Sequence, residues 1–195
     1  MASLVLSGDT SGSITVSAPA VAGSNTQTLV ATTGTLAPIV SGTAVASTSG
    51  TSIDFTGIPS WVKRITVMFN GVSTNGTSVV QIQIGASGGV ETTNYVANAS
   101  IITSIVASAA YTSGFGVVQQ LIAGDVLSGA ITISLVNSGT NTWAASGSFG
   151  YSVGRTAMSV AAGVKALSGT LDRVRITTVN GTDTFDAGTI NILYE

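Results

Sequence analysis

The chain has 195 residues, of which six are Lys or Arg and eight are Asp or Glu, so that 7% are charged and the net charge is −2. Ordinary soluble domains carry roughly 25%, and most of this surface must therefore be uncharged. Histidine and cysteine are absent, which removes imidazole bases, thiolate nucleophiles, disulfides and metal sites built from those ligands. No cofactor and no metal is expected, and the sparse basic residues offer no patch for nucleic acid or an anionic membrane surface. Mean hydropathy is +0.53, yet the apolar residues are scattered among 24 Gly and 54 Ser and Thr. No run approaches the ~18 apolar residues of a spanning helix, so membrane insertion is not expected. Met1-Ala2-Ser3 puts no positive charge before Leu4-Val5-Leu6, and three apolar residues are too few for a signal-peptide core.

Residues 1–50 hold a single charge, Asp9, with short β-like stretches at 4–6, 14–17 and 28–31. Such a segment buries too little apolar surface to offset its ordering entropy. It is either disordered or ordered against other chains. The missing charge argues against a solvated tail, and the spaced aliphatics Val5, Ile14, Val16, Val21, Leu29 and Leu36 look made to be covered. The expectation is an extended N-terminal arm that docks on an assembly through these residues.

From residue 51 onward the pattern is period-two alternation, the mark of half-buried strands. Ser52-Ile53-Asp54-Phe55 leads through a turn at Gly57-Ile58-Pro59-Ser60 into 61–69, where Ile65, Val67 and Phe69 share a face. Strands are also expected at 79–84, at 130–136, at 142–152 with Trp143, Phe149 and Tyr151 on one face, at 173–179 and at 188–194. Asn70-Gly71, Asn75-Gly76 and Asn180-Gly181 read as tight turns, since such dipeptides supply positive φ. Residues 51–195 are thus predicted to form an all-β domain, an antiparallel β-sandwich of jelly-roll kind, with no long helix.

Chemistry has few places to reside. Asp183-Thr184-Phe185-Asp186 is the tight acidic pair, and two carboxylates ~5–9 Å apart serve glycoside hydrolysis. Both nevertheless flank turns, where Asp makes local hydrogen bonds. A serine nucleophile needs a base, and neither Lys63 nor Lys165 stands in an S-x-x-K motif. Gly85-Ala86-Ser87-Gly88-Gly89 lacks the lysine of a phosphate loop and reads as a hairpin or bulged loop. Lys63-Arg64 and Arg173/Arg175 form either a solvated face or a set of partners for a neighbouring subunit. Trp61 caps a core or offers a stacking platform. Tyr95, Tyr111 and Phe115 lie in a Ser-, Ala-, Asn- and Gly-rich stretch, 94–116, expected to be exposed loops and therefore the candidate receptor surface. No catalytic residue is assigned.

Two stretches carry a family resemblance. The segment from Ser11-Gly12-Ser13-Ile14-Thr15-Val16 through Thr33-Gly34-Thr35-Leu36 resembles the opening of many tailed-bacteriophage fibre and appendage proteins. Asp54-Phe55-Thr56-Gly57-Ile58-Pro59-Ser60-Trp61-Val62-Lys63-Arg64-Ile65-Thr66-Val67-Met68-Phe69 resembles the first strands of a phage tail-fibre or virion-protein domain, and Gly188-Thr189-Ile190-Asn191-Ile192-Leu193-Tyr194-Glu195 fits its C-terminal end. The resemblance implies a virion structural protein assembled in the bacterial cytoplasm. It implies a homotrimer whose N-terminal part meets a tail adaptor or nozzle, or the capsid, and whose distal β-domain faces a host glycan or protein. No repetitive shaft lies near residue 50, which leaves room for a short tail fibre, a head fibre or a capsid decoration protein. A glycan-degrading appendage is the remote alternative.

Overall fold

The computed structural model describes residues 3–7, 10–17, 38–104, 106–152 and 157–195. It divides into two units, Met1–Leu36 and Ala37–Glu195. In the first, β1 (Ser3–Ser7) and β2 (Ser13–Ser17) pair antiparallel as a two-stranded sheet. The register sets Leu4 opposite Val16 and Leu6 opposite Ile14. Because side chains alternate across a strand, these four apolar residues share one face.

The second unit is all-β over its described residues. Its strands are β3 (Val40–Ser41), β4 (Val45–Ala46), β5 (Ser52–Thr56), β6 (Arg64–Thr74), β7 (Val80–Ala86), β8 (Gly89–Val90), β9 (Val96–Ile102), β10 (Val106–Tyr111), β11 (Phe115–Gly116), β12 (Val126–Asn137), β13 (Thr142–Ser152), β14 (Ala157–Ala166), β15 (Arg173–Thr178) and β16 (Phe185–Tyr194). A nine-stranded antiparallel sheet runs β10-β9-β14-β13-β12-β6-β16-β3, with β4 also on β16, and a five-stranded sheet runs β11-β7-β15-β5, with β8 on β7. The two pack as a sandwich. Ile65, Val67 and Phe69 of β6, Ile131 and Ile133 of β12 and Trp143 and Phe149 of β13 enter the core from the large sheet. Ile53, Ile82, Ile84, Val174 and Ile176 enter it from the small one. The expected strands at 142–152 and the expected inward faces are present, and the 85–89 loop is the β7–β8 hairpin.

Three expectations are corrected. Residues 38–50, assigned on sequence to the arm, are the edge of the large sheet: β3 and β4 pair with β16, and fully buried Ser47 donates its hydroxyl to the Ala187 carbonyl at 2.8 Å. Asn70-Gly71 is no hairpin turn, because it lies inside β6 as a bulge. Between β6 and β12 the partners step from Phe69↔Gly129 to Val72↔Leu127, so two β6 residues oppose Ser128 alone. Gly71 takes φ 67° and gives its N–H to the Ser128 hydroxyl at 3.0 Å. Across the bulge stands Gly188, where a Cβ would come within 2.3 Å of the Gly71 carbonyl. Finally, 94–116 is largely strand rather than exposed loop, since β9 and β10 form one end of the large sheet.

Candidate functional site

Tyr95, Tyr111 and Phe115, the expected receptor surface, are core residues, exposed by 1%, 9% and 1%. The physical reason is the small-residue pattern around them: Ala97, Ala99 and Ile101 face inward on β9 and leave room for large rings beside them. Tyr95 meets Phe115 edge-on at 5.0 Å. The Tyr95 hydroxyl accepts the Ile84 N–H at 2.8 Å and turns its proton toward the Glu91 carbonyl at 3.0 Å. Tyr111 donates to the Val118 carbonyl at 2.7 Å, Tyr151 to that of Gln120 at 3.0 Å and Ser159 to that of Val117 at 2.5 Å, so that three hydroxyls pin the loop after β11. Burial pushes the Tyr111 phenol up to about 12. It raises that of Tyr95 too, as does the nearby Glu91 charge, against the opposing Ile84 N–H.

The aliphatics expected to attach the arm divide. Val5, Ile14 and Val16 are exposed on the β1–β2 pair, at 53%, 70% and 60%, while Val21, Leu29 and Leu36 lie outside the described residues. The acidic pair is spent on hydrogen bonds inside the fold, Asp183 at the Asn180 turn and Asp186 in β16. Asp183 accepts the Ser78 N–H at 2.8 Å and the Asn180 amide at 2.7 Å, and Asp186 accepts the Ser73 hydroxyl. Among the described residues no group of three or more acidic side chains is placed to hold a metal. Trp61 is exposed and leans on Tyr194, ring centroids 5.9 Å apart.

Four of the five described basic residues find carboxylates within the chain. Arg175 forms a fork with Asp54 at 2.7 and 2.8 Å, Arg173 pairs with Asp172 at 2.7 Å, and Arg64 pairs with Glu195. Lys165, 3% exposed, reaches Glu91 at 2.5 Å and the Ala166 carbonyl at 2.7 Å, and lies 5.5 Å from the Tyr95 ring centre. Burial would raise the Glu91 carboxyl, but the Lys165 ammonium and the N–H and hydroxyl of Ser168 outweigh it and hold it below the usual carboxylate range. The group is a saturated clamp: its ammonium and carboxylate hold each other and the loop that begins at Ser168.

In the second unit, two surfaces stand out among the described residues. On the outer side of the large sheet, the outward positions of β9, β10 and β14 include Val96, Ile102, Val106, Met158, Val160 and Val164, all exposed. The register sets Met158 beside Ile102, Val164 beside Val96, and Ile102 beside Val106, so they are neighbours. β9, β10, β12 and β13 contain no charged residue, and the single charge of β14, Lys165, points inward. The second surface is a cleft of about 330 Å³ on the outer side of the small sheet. Its floor is two polar rows set by strand register, Gln83–Arg175 and Gln81–Thr177–Ser52, with Thr92, Ser113 and the Asn180 turn around it. Of these, Arg175 and the Asn180-Gly181 turn stood out on sequence, but Gln81, Gln83 and Thr177 did not, because the alternation that marks β7 and β15 as strands labels their outer residues merely as solvent-facing.

Comparison with protein-family models, with curated proteins and with solved structures finds no match.

Proposed function

We propose that this chain is a structural, non-enzymatic component of a bacteriophage virion: a short homotrimeric tail fibre or appendage, joined to the particle through its N-terminal segment and assembled in the host cytoplasm. The virion assignment rests on the fibre-like segments quoted above. What carries the assembly part is the outer face of the large sheet from β10 across to β12, which carries no charge. Monomeric proteins rarely leave large contiguous apolar patches in water, and six large aliphatic side chains stand here on three adjacent strands. The face ends in β10, an edge strand of sequence Val-Ala-Ser-Ala-Ala-Tyr, which has none of the charges or prolines that normally block edge pairing. A copy of the same chain brings no charge against this face, so self-association desolvates no ion there. The Leu4, Leu6, Ile14 and Val16 face of the first unit, equally exposed, suits contact with a particle protein, since a two-stranded sheet is marginal alone.

Light scattering on the purified full chain tests this, with a mass of three chains expected at micromolar concentration. A folded monomer would overturn the self-association. Electron microscopy of labelled protein mixed with particles lacking it tests the attachment. Label at the tail supports the fibre, label on the head replaces it with a head fibre or decoration protein, and absence of label from the particle overturns the virion role.

A further inference from the structure

We infer that the cleft on the outer face of the five-stranded sheet is a binding site for a neutral, hydroxyl-rich ligand, of which a hexose ring is the chemical type. The proposal concerns the single chain and holds whichever particle that chain joins. The cleft is built rather than incidental. Gln81 and Gln83 are 2% and 5% exposed although they stand on the outer face of the sheet, because neighbouring groups cover and hold them. Gln83 donates its amide to the Ser113 carbonyl at 2.9 Å, and Gln81 accepts the Ser113 hydroxyl at 2.9 Å. The Ser113 carbonyl can only accept, which fixes the Gln83 amide with its NH₂ toward Ser113. Its carbonyl oxygen is left without a partner among the described residues. Thr177 is held in the same way, donating to the Thr51 carbonyl at 2.8 Å. Side chains fixed before a ligand arrives lose little further entropy on binding it.

The unspent groups define the ligand. Arg175 spends its Nε and Nη2 on Asp54 and keeps Nη1 free among the described residues. The Gln83 oxygen is an open acceptor, and the exposed Thr92 hydroxyl, which makes no hydrogen bond among the described residues, both donates and accepts. An anion would have to compete with the Asp54 carboxylate for the guanidinium, so the site favours neutral ligands. Val179 is the one apolar lining residue, which disfavours an apolar guest. Neighbouring hydroxyls, each donor and acceptor, match such a floor, and the volume is at the small end of ligand cavities. With no aromatic platform in the lining, the affinity is expected in the millimolar range.

The test is a nitrogen-15 NMR titration of the full chain with the methyl glycosides of glucose, galactose and N-acetylglucosamine, and separately with sulfate. Saturable shifts of the Gln83 side-chain amide and the Arg175 Nε–H are expected with at least one glycoside. Binding should weaken by about five-fold or more in Gln83→Met and in Thr92→Val, the loss of one hydrogen bond each. Thr92→Val removes nothing the fold uses, so it decides the matter should Gln83→Met fail to fold. Absence of saturable shifts with all three glycosides, undiminished binding in Thr92→Val, or shifts with sulfate alone would overturn the proposal.

Discussion

The two outer faces of the sandwich solve opposite problems. On the five-stranded sheet, polar side chains stand in register and satisfy one another: Arg175 with Asp54, Gln81 with Ser113, Thr177 with a main-chain carbonyl. On the nine-stranded sheet, from β10 across to β12, the outward positions carry Val, Ile, Met, Ala, Gly, Ser, Thr and Asn98 and no charge. The first face fixes most of its side chains within one chain. The second leaves large aliphatic side chains exposed. A protein with 14 charged residues has placed most of those described where they close on each other, and its low charge is concentrated on the surface that a partner would bury.

The comparison breaks first if the internal pairs are removed, and the largest effect is expected at the clamp. Lys165→Met leaves the Glu91 carboxylate half-covered with only Ser168 as partner, and loss of one member of a buried pair costs about 3 kcal/mol, read as a lower midpoint in urea. The sign with pH follows from the lowered Glu91 pKa. The native carboxylate holds its charge below the unfolded value, so the contribution is present at neutral pH and lost as pH falls through the native pKa. The variant should lack that acid-side loss.

The alkaline side tests the rings. An unfolded tyrosine ionises near pH 10, whereas Tyr111 in the fold does so at about 12 and Tyr95 is raised also. The neutral phenols therefore contribute fully below pH 10, and stability falls as pH rises from there toward 12, by on the order of 2–3 kcal/mol for Tyr111 alone. Phenolate absorbance and circular dichroism should change together. Phenolate appearing near pH 10 with the fold intact would mean that these rings meet water.

That these rings are buried was the least legible feature of the sequence, for a physical reason. Strands such as β13 announce themselves because Trp143, Phe149 and Tyr151 alternate with Ser and Gly. In β9, β10 and β14 the inward residues include Ala97, Ala99, Ala109, Ala157 and Ala161, while Val96, Val106, Met158 and Val160 point outward. Hydropathy alternation there is flattened or inverted, and the stretch reads as loop. Asn70-Gly71 was misread for a different reason: positive φ serves a bulge as well as a turn, and only the register of β12 and β16 distinguishes them. The cleft was illegible because Gln81, Gln83 and Ser113 meet only when β7 and the loop before β11 are brought side by side.

Smaller effects sharpen the contrast between the faces. Asp54→Asn removes the Arg175 fork, but both side chains are more than a third exposed, and such pairs contribute about 1 kcal/mol at most. The destabilisation should shrink as salt is added. Denaturation of the two proteins at low and high salt measures it, and a salt-independent loss would show the pair to be better shielded than its exposure indicates.

On the opposite face, Val160→Lys should cost the single chain almost nothing. Val160 is 44% exposed, its cross-strand neighbours are Ser148 and Ser100, and a lysine can lay its stem along them with the ammonium in water. Surface changes of this kind stay within about 0.5 kcal/mol. In the assembled state the same ammonium would be driven into an apolar contact without a partner, a cost of several kcal/mol. Mass and stability should therefore separate: light scattering reports single chains while the urea midpoint, measured at a dilution where the parent protein is also dissociated, is unchanged. If the mass is unaffected, the apolar face is not where copies meet. If instead the dilute midpoint falls by more than about 1 kcal/mol, Val160 supports the fold of one chain, and the division between a self-sufficient face and a face awaiting cover fails at its centre.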